Sequence, residues 1–103
     1  MPYLQQSNTK IVPEEWQDLS QEQNDAQSAA IYEVIGGNGG EVQSLGFSPH
    51  HICLTSVISY PDEASAQKTV AEIVALGTLE FVSIEHLWDI GEWTAAMRAA
   101  NEG

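Results

Sequence analysis

The chain has 103 residues, 43% of them hydrophobic, and a formal charge of −12 from 15 acids against 3 bases. That is one domain's worth of sequence, read here as a single domain over residues 1–103, and long enough to bury a core. The charge excludes nucleic acid and anionic membranes as partners, because both need Lys and Arg to neutralise phosphate.

The apolar runs are too short to cross a bilayer. Met1-Pro2-Tyr3-Leu4-Gln5-Gln6 has neither the basic nor the apolar region of a secretory signal, so a cytoplasmic location is expected. A single cysteine, Cys53, excludes an internal disulfide and a Cys-only zinc cage. The cations are Lys10, Lys68 and Arg98, and Glu14, Glu15, Asp18, Glu22, Asp25, Glu33 and Glu41 make the first half acidic. Such a run reads as a solvated face that favours solubility.

Residues 3–12 read as a first strand whose middle, Gln5 to Thr9, is polar; such a strand is an edge or the wall of a wet cavity. Pro13 suits a helix start. Trp16, Leu19, Gln23, Ala26 and Ala30 then recur at helical spacing, and Ile31, Val34 and Ile35 widen the stripe. Gly36-Gly37-Asn38-Gly39-Gly40 stops the helix. It follows a helix and opens a strand, the reverse of a phosphate loop.

Glu41 to Phe47 is a second strand, with Gly46 the expected bulge. After a turn at Ser48-Pro49-His50, His51 to Tyr60 reads as a third strand, apolar on both alternating faces. Asp62 is the expected cap of a second helix with a stripe of Ala66, Val70, Ile73 and Val74, and Gly77 is its stop. Leu79 to Trp88 is a fourth strand. Its two faces read as Leu79, Phe81 and Leu87 against Val82, Ile84 and Trp88. Ile90, Trp93, Met97 and Ala100 mark a final helix.

The order β-α-β-β-α-β plus a C-terminal helix predicts an α+β, ferredoxin-like fold, with two helices on one face of a four-stranded antiparallel sheet. The other face then needs a cover. A second copy supplies it, which predicts a homodimer joined through the sheet face, a dimeric α+β barrel.

The stretch Tyr60-Pro61-Asp62-Glu63-Ala64-Ser65-Ala66, then Ala75-Leu76-Gly77 and Ser83-Ile84-Glu85-His86-Leu87, resembles the GYD-domain family. So does the Gly37–Glu41 turn with Val42-Gln43-Ser44, and the likeness covers roughly residues 1–90. Where that family carries Gly-Tyr-Asp, this chain has Gly46-Phe47-Ser48-Pro49-His50-His51, so no site residue is carried over through the motif. The family belongs with the dimeric α+β barrels, among them cofactor-free monooxygenases and muconolactone-isomerase-like enzymes. The resemblance implies a sheet-packed dimer with a ligand cavity between sheet and helices.

Histidine carries protons near neutral pH. His86, with Trp88 beside it, and His51 are therefore the candidate catalytic bases, suited to an aromatic or polyketide-like compound. Tyr3, Gln5 and Ser7 share one face of the first strand and, with Trp88 and Trp93, are the candidate ligand-binding residues. No spacing supports a metal site and no cofactor is expected. Cys53, inside an apolar strand, reads as a small buried hydrophobe rather than a nucleophile. The preferred function is small-molecule binding. A cofactor-independent monooxygenase or isomerase-like activity, and a structural or regulatory interaction module, are the alternatives.

Overall fold

The computed structural model describes residues 2–11, 20–50 and 52–102. The elements are β1 (Tyr3–Ile11), α1 (Gln21–Gly37), β2 (Glu41–Ser48), β3 (Cys53–Tyr60), α2 (Glu63–Leu76), β4 (Leu79–Leu87) and α3 (Ile90–Glu102). The four strands form one sheet in the order β2-β3-β1-β4, every pair antiparallel. This is the ferredoxin-like α+β fold. Its first strand is central, so β1 is no edge, and its polar residues Gln5, Ser7 and Thr9 are buried.

Local chemistry sets the helix ends. Ser20 is extended and caps α1 reciprocally: its hydroxyl accepts from Gln23 N at 3.2 Å, and Gln23 Oε1 accepts from Ser20 N at 2.9 Å. The helix therefore starts at Gln21, not at Pro13, because an extended cap residue interrupts any helical path through it. Pro13, Trp16, Leu19 and the acids between them lie outside the described residues. The packed face of α1 is also rotated from expectation. Asn24, Gln27, Ile31, Val34 and Ile35 turn inward while Gln23 and Ala26 are exposed. At the other end α1 runs through Gly37, and Asn38 Nδ2 donates to Val34 O at 3.0 Å and to Glu72 Oε1 at 3.3 Å, tying α1 to α2.

The ends of α2 match the expectation. Asp62 caps it through Ser65 N at 2.8 Å, and Gly77 closes it with φ of 74°. That backbone hydrogen bond holds the Asp62 carboxyl below its ordinary pKa.

Two β-bulges decide the faces of the sheet. In β4 the register jumps from Asn8↔Ser83 to Thr9↔Phe81, leaving Val82 without an opposite residue. In β2 it jumps from Val42↔Ile58 to Ser44↔Val57, leaving Gln43 extra. A bulge shifts the alternation by one, so Phe81 and Ile84 share the helix-facing side, as do Val42, Leu45 and Phe47. The expected bulge at Gly46 is absent: Gly46 pairs regularly with Thr55. The expectation of two equally apolar faces is thereby corrected. The open face carries Leu4, Val57 and Leu87 among polar residues, with Thr55 Oγ1 donating to Asn8 Oδ1 at 2.7 Å and Asn8 Nδ2 donating to Ser83 Oγ at 2.8 Å.

The core lies between sheet and helices. Ile35, Ile58, Tyr60, Ala66 and Ile73 are buried together, with Tyr3, Val34, Leu79 and Phe81 packed around them. Gly40 is required there: a Cβ would sit 2.7 Å from Ile35 Cγ2 and 2.9 Å from Tyr60 Cε1. Burial pushes the Tyr60 phenol above its ordinary pKa, and a hydrogen bond with Thr69 pulls it part of the way back. Among the described residues no helix is long and apolar enough to cross a membrane.

Candidate functional site

The helix-facing side of the sheet is not evenly filled. Beneath α2 the cover is close. Beneath α1, over β2 and β3, a cavity of about 170 Å³ opens. Its floor is Leu54, Ser56 and Ile58 of β3 with Thr9 of β1, and its roof is Asn24, Gln27, Ser28, Ile31 and Tyr32. Thr78 and Leu79 close one end, and Val42 and Leu45 of β2 stand at the rim.

The sequence explains the gap. The first turns of α1 present Asn24, Gln27 and Ser28 where a packed helix would present Leu or Ile, and polar side chains of that length leave space over an apolar floor. Ser56 on that floor is engaged, its hydroxyl 2.9 Å from that of Ser7. Thr78 is not. Its hydroxyl is shielded from solvent and has no hydrogen-bond partner among the described residues, a condition that costs about 1–3 kcal/mol for a buried polar group. A guest with one hydrogen-bonding group relieves that cost.

No lining residue is charged, and the described cations lie elsewhere: Lys10 on β1, Lys68 beside Glu72 at 3.9 Å on α2, and Arg98 on α3. The walls therefore suit a neutral guest. An engineered cavity of about 150 Å³ lined by apolar side chains takes benzene, so this space holds one ring.

The residues predicted for the site fall in three places. Gln5 pairs with His86 across the β1–β4 ladder, and the Tyr3 ring stacks on the His86 ring with centroids 4.3 Å apart. Tyr3 and Gln5 also line an open groove with Glu63, Gln67 and Val70 of α2 and Ile84 of β4. The structure thus brings Tyr3, Gln5 and His86 together on the helix-facing side, with His86 exposed at the β4 edge. Ser7, buried between that groove and the cavity, is held by Ser56. Trp88 and Trp93 stack on each other with centroids 5.7 Å apart, past the end of β4. None of Tyr3, Gln5, Ser7, His86, Trp88 and Trp93 lines the 170 Å³ cavity. His51 lies outside the described residues. Cys53 is buried, as a small hydrophobe would be. Among the described residues, no three His, Cys, Asp or Glu side chains gather as a metal would require.

Sequence reasoning missed Thr78 and the polar start of α1. The available signals were a lone hydroxyl between a helix-stop glycine and an apolar strand, and the Asn24, Gln27, Ile31 spacing. Comparison with protein-family models, curated proteins and solved structures finds no match.

Proposed function

We propose that this chain is a small-molecule-binding protein whose guest is a neutral, single-ring compound with one hydrogen-bonding substituent, held between α1 and the β2–β3 half of the sheet. The observation that carries this reading is the unpartnered Thr78 hydroxyl at an uncharged cavity of about 170 Å³. Apolar walls with a single polar anchor are how small ligand sites are usually built. The same reading has the protein act as a homodimer paired through its open sheet face, supported by Leu4, Val57 and Leu87 there. The GYD-like resemblance, with its dimeric barrel, belongs to that proposal.

The test is calorimetric titration with p-cresol and, separately, with benzoate. The neutral phenol is expected to bind saturably, and the anion not at all, since the cavity offers it no cation. Absence of saturable heat with p-cresol and its simple relatives, or tighter binding of benzoate, overturns the reading.

A further inference from the structure

We infer that α3 is a clasp: in a dimer, the α3 helix of each copy docks on the β2 rim of the other. The inference rests on the pairing proposed above and adds a second contact to it.

Two apolar patches lie uncovered at opposite corners of the chain. One is the stripe of α3, where Trp93 and Met97 are 44% and 45% exposed and the helix buries no residue at all. The other is β2, where Leu45 and Phe47 are 53% and 60% exposed because α1 and α2 leave that strand bare. Chance scatter of single apolar residues on a surface needs no explanation, but contiguous patches of this kind do.

The chain cannot join these patches to each other. β2 and β4 are the two edges of the sheet, about 14 Å apart at the usual strand spacing. Phe47 is also at the wrong end. It pairs with Leu54, Leu54 with Thr9 and Thr9 with Phe81, so Phe47 is in line with Phe81, whereas α3 follows Leu87, about 20 Å further along β4. The helix instead projects outward, giving a molecule 58 Å long with a radius of gyration of 16.0 Å. A compact chain of this length has a radius of roughly 13 Å.

A two-fold axis solves the geometry. It sets patch one of each copy against patch two of the other, so both are buried twice. The area agrees. The chain exposes 6991 Å², against about 5,700 Å² for a compact monomer of its mass. The excess of about 1,300 Å² per copy, about 2,600 Å² for the pair, falls in the range of permanent dimers. The occupant is thus a second copy of this chain, and α3 acts as the third helix over its partner's sheet.

The experiment uses the full chain. A mixture of chains labelled at the methionine methyls and chains labelled at Phe and Leu is equilibrated, and filtered NOE spectra are recorded. Cross-peaks from the Met97 methyl to Phe47 and Leu45 of the other copy are expected; Met97 cross-peaks confined to its own chain overturn the clasp. In sedimentation equilibrium, Trp93→Glu is expected to weaken dimerisation at least tenfold. If Trp93→Glu dimerises as tightly as the parent while Leu4→Glu on the open face is monomeric, the clasp is wrong and the sheet pairing stands. If Leu4→Glu leaves the dimer intact while Trp93→Glu dissociates it, the sheet pairing is wrong and the clasp stands. A parent chain that is monomeric at 100 μM overturns both.

Discussion

The two halves of the helix-facing layer differ in how they are filled. Under α2, Ala66, Thr69 and Ile73 are buried against the sheet around Tyr60. Under the start of α1, Asn24, Gln27 and Ser28 stand over Leu54, Ser56 and Ile58 and leave a cavity. Both halves share one sheet and one topology. What separates them is the size and polarity of the side chains that each helix turns inward. Dense packing gives stability, and the gap leaves room for a guest, so a difference between two helical stripes becomes a division of labour.

The largest effect that would break this comparison is in the dense half. Ile73→Ala is expected to cost about 2–5 kcal/mol, the range for a buried aliphatic truncation. Leu45→Ala, at the exposed cavity rim, is expected to cost less than about 1 kcal/mol. Urea denaturation of the two variants measures both, and equal losses would remove the distinction between the halves.

Alkaline pH probes the dense half without removing a contact. Burial raises the Tyr60 pKa, so the fold holds the neutral phenol while the unfolded chain ionises near its ordinary value. Stability is therefore fully present below about pH 10 and falls as pH rises from there towards the folded-state value. Denaturation between pH 8 and 11.5 is expected to show this fall, and Tyr60→Phe is expected to flatten it. An unchanged slope in Tyr60→Phe would assign the alkaline loss to other groups.

The loose half answers to its helix start. Ser20→Ala removes the capping box and is expected to cost about 1 kcal/mol, with faster amide exchange in the first turns of α1 and unchanged exchange in α2. The smallest effect on stability is expected at Thr78→Val. The Thr78 hydroxyl has no partner to lose, so the fold should change by less than about 0.5 kcal/mol or gain slightly. Affinity for p-cresol should nonetheless drop roughly tenfold, the equivalent of about 1.4 kcal/mol.

Much of this architecture was legible in the sequence. Spacing placed every strand and helix near its observed position, and Asp62 and Gly77 marked the ends of α2 because cap chemistry is local. The faces were less legible. Val82 and Gln43 are bulged only because of what their partner strands do, and no alternation within β4 or β2 reveals a shift in register between strands. The start of α1 was present as Ser20-Gln21-Glu22-Gln23, a capping-box pattern, but the Trp16–Leu19 spacing competed with it. Of the candidate site residues, Tyr3, Gln5 and His86 do share a face, which alternation alone predicts. The cavity was hidden because empty space is a property of two surfaces and cannot be read from either one.

The central claim is that the guest sits under α1, and methyl-resolved NMR with p-cresol tests it most directly. Saturable shifts at Ile31, Ile35, Leu54 and Ile58, with Ile84, Val70 and Ile90 unmoved, are the predicted result. Shifts centred on Ile84 and Val70, in the groove beside Tyr3 and His86, would contradict it.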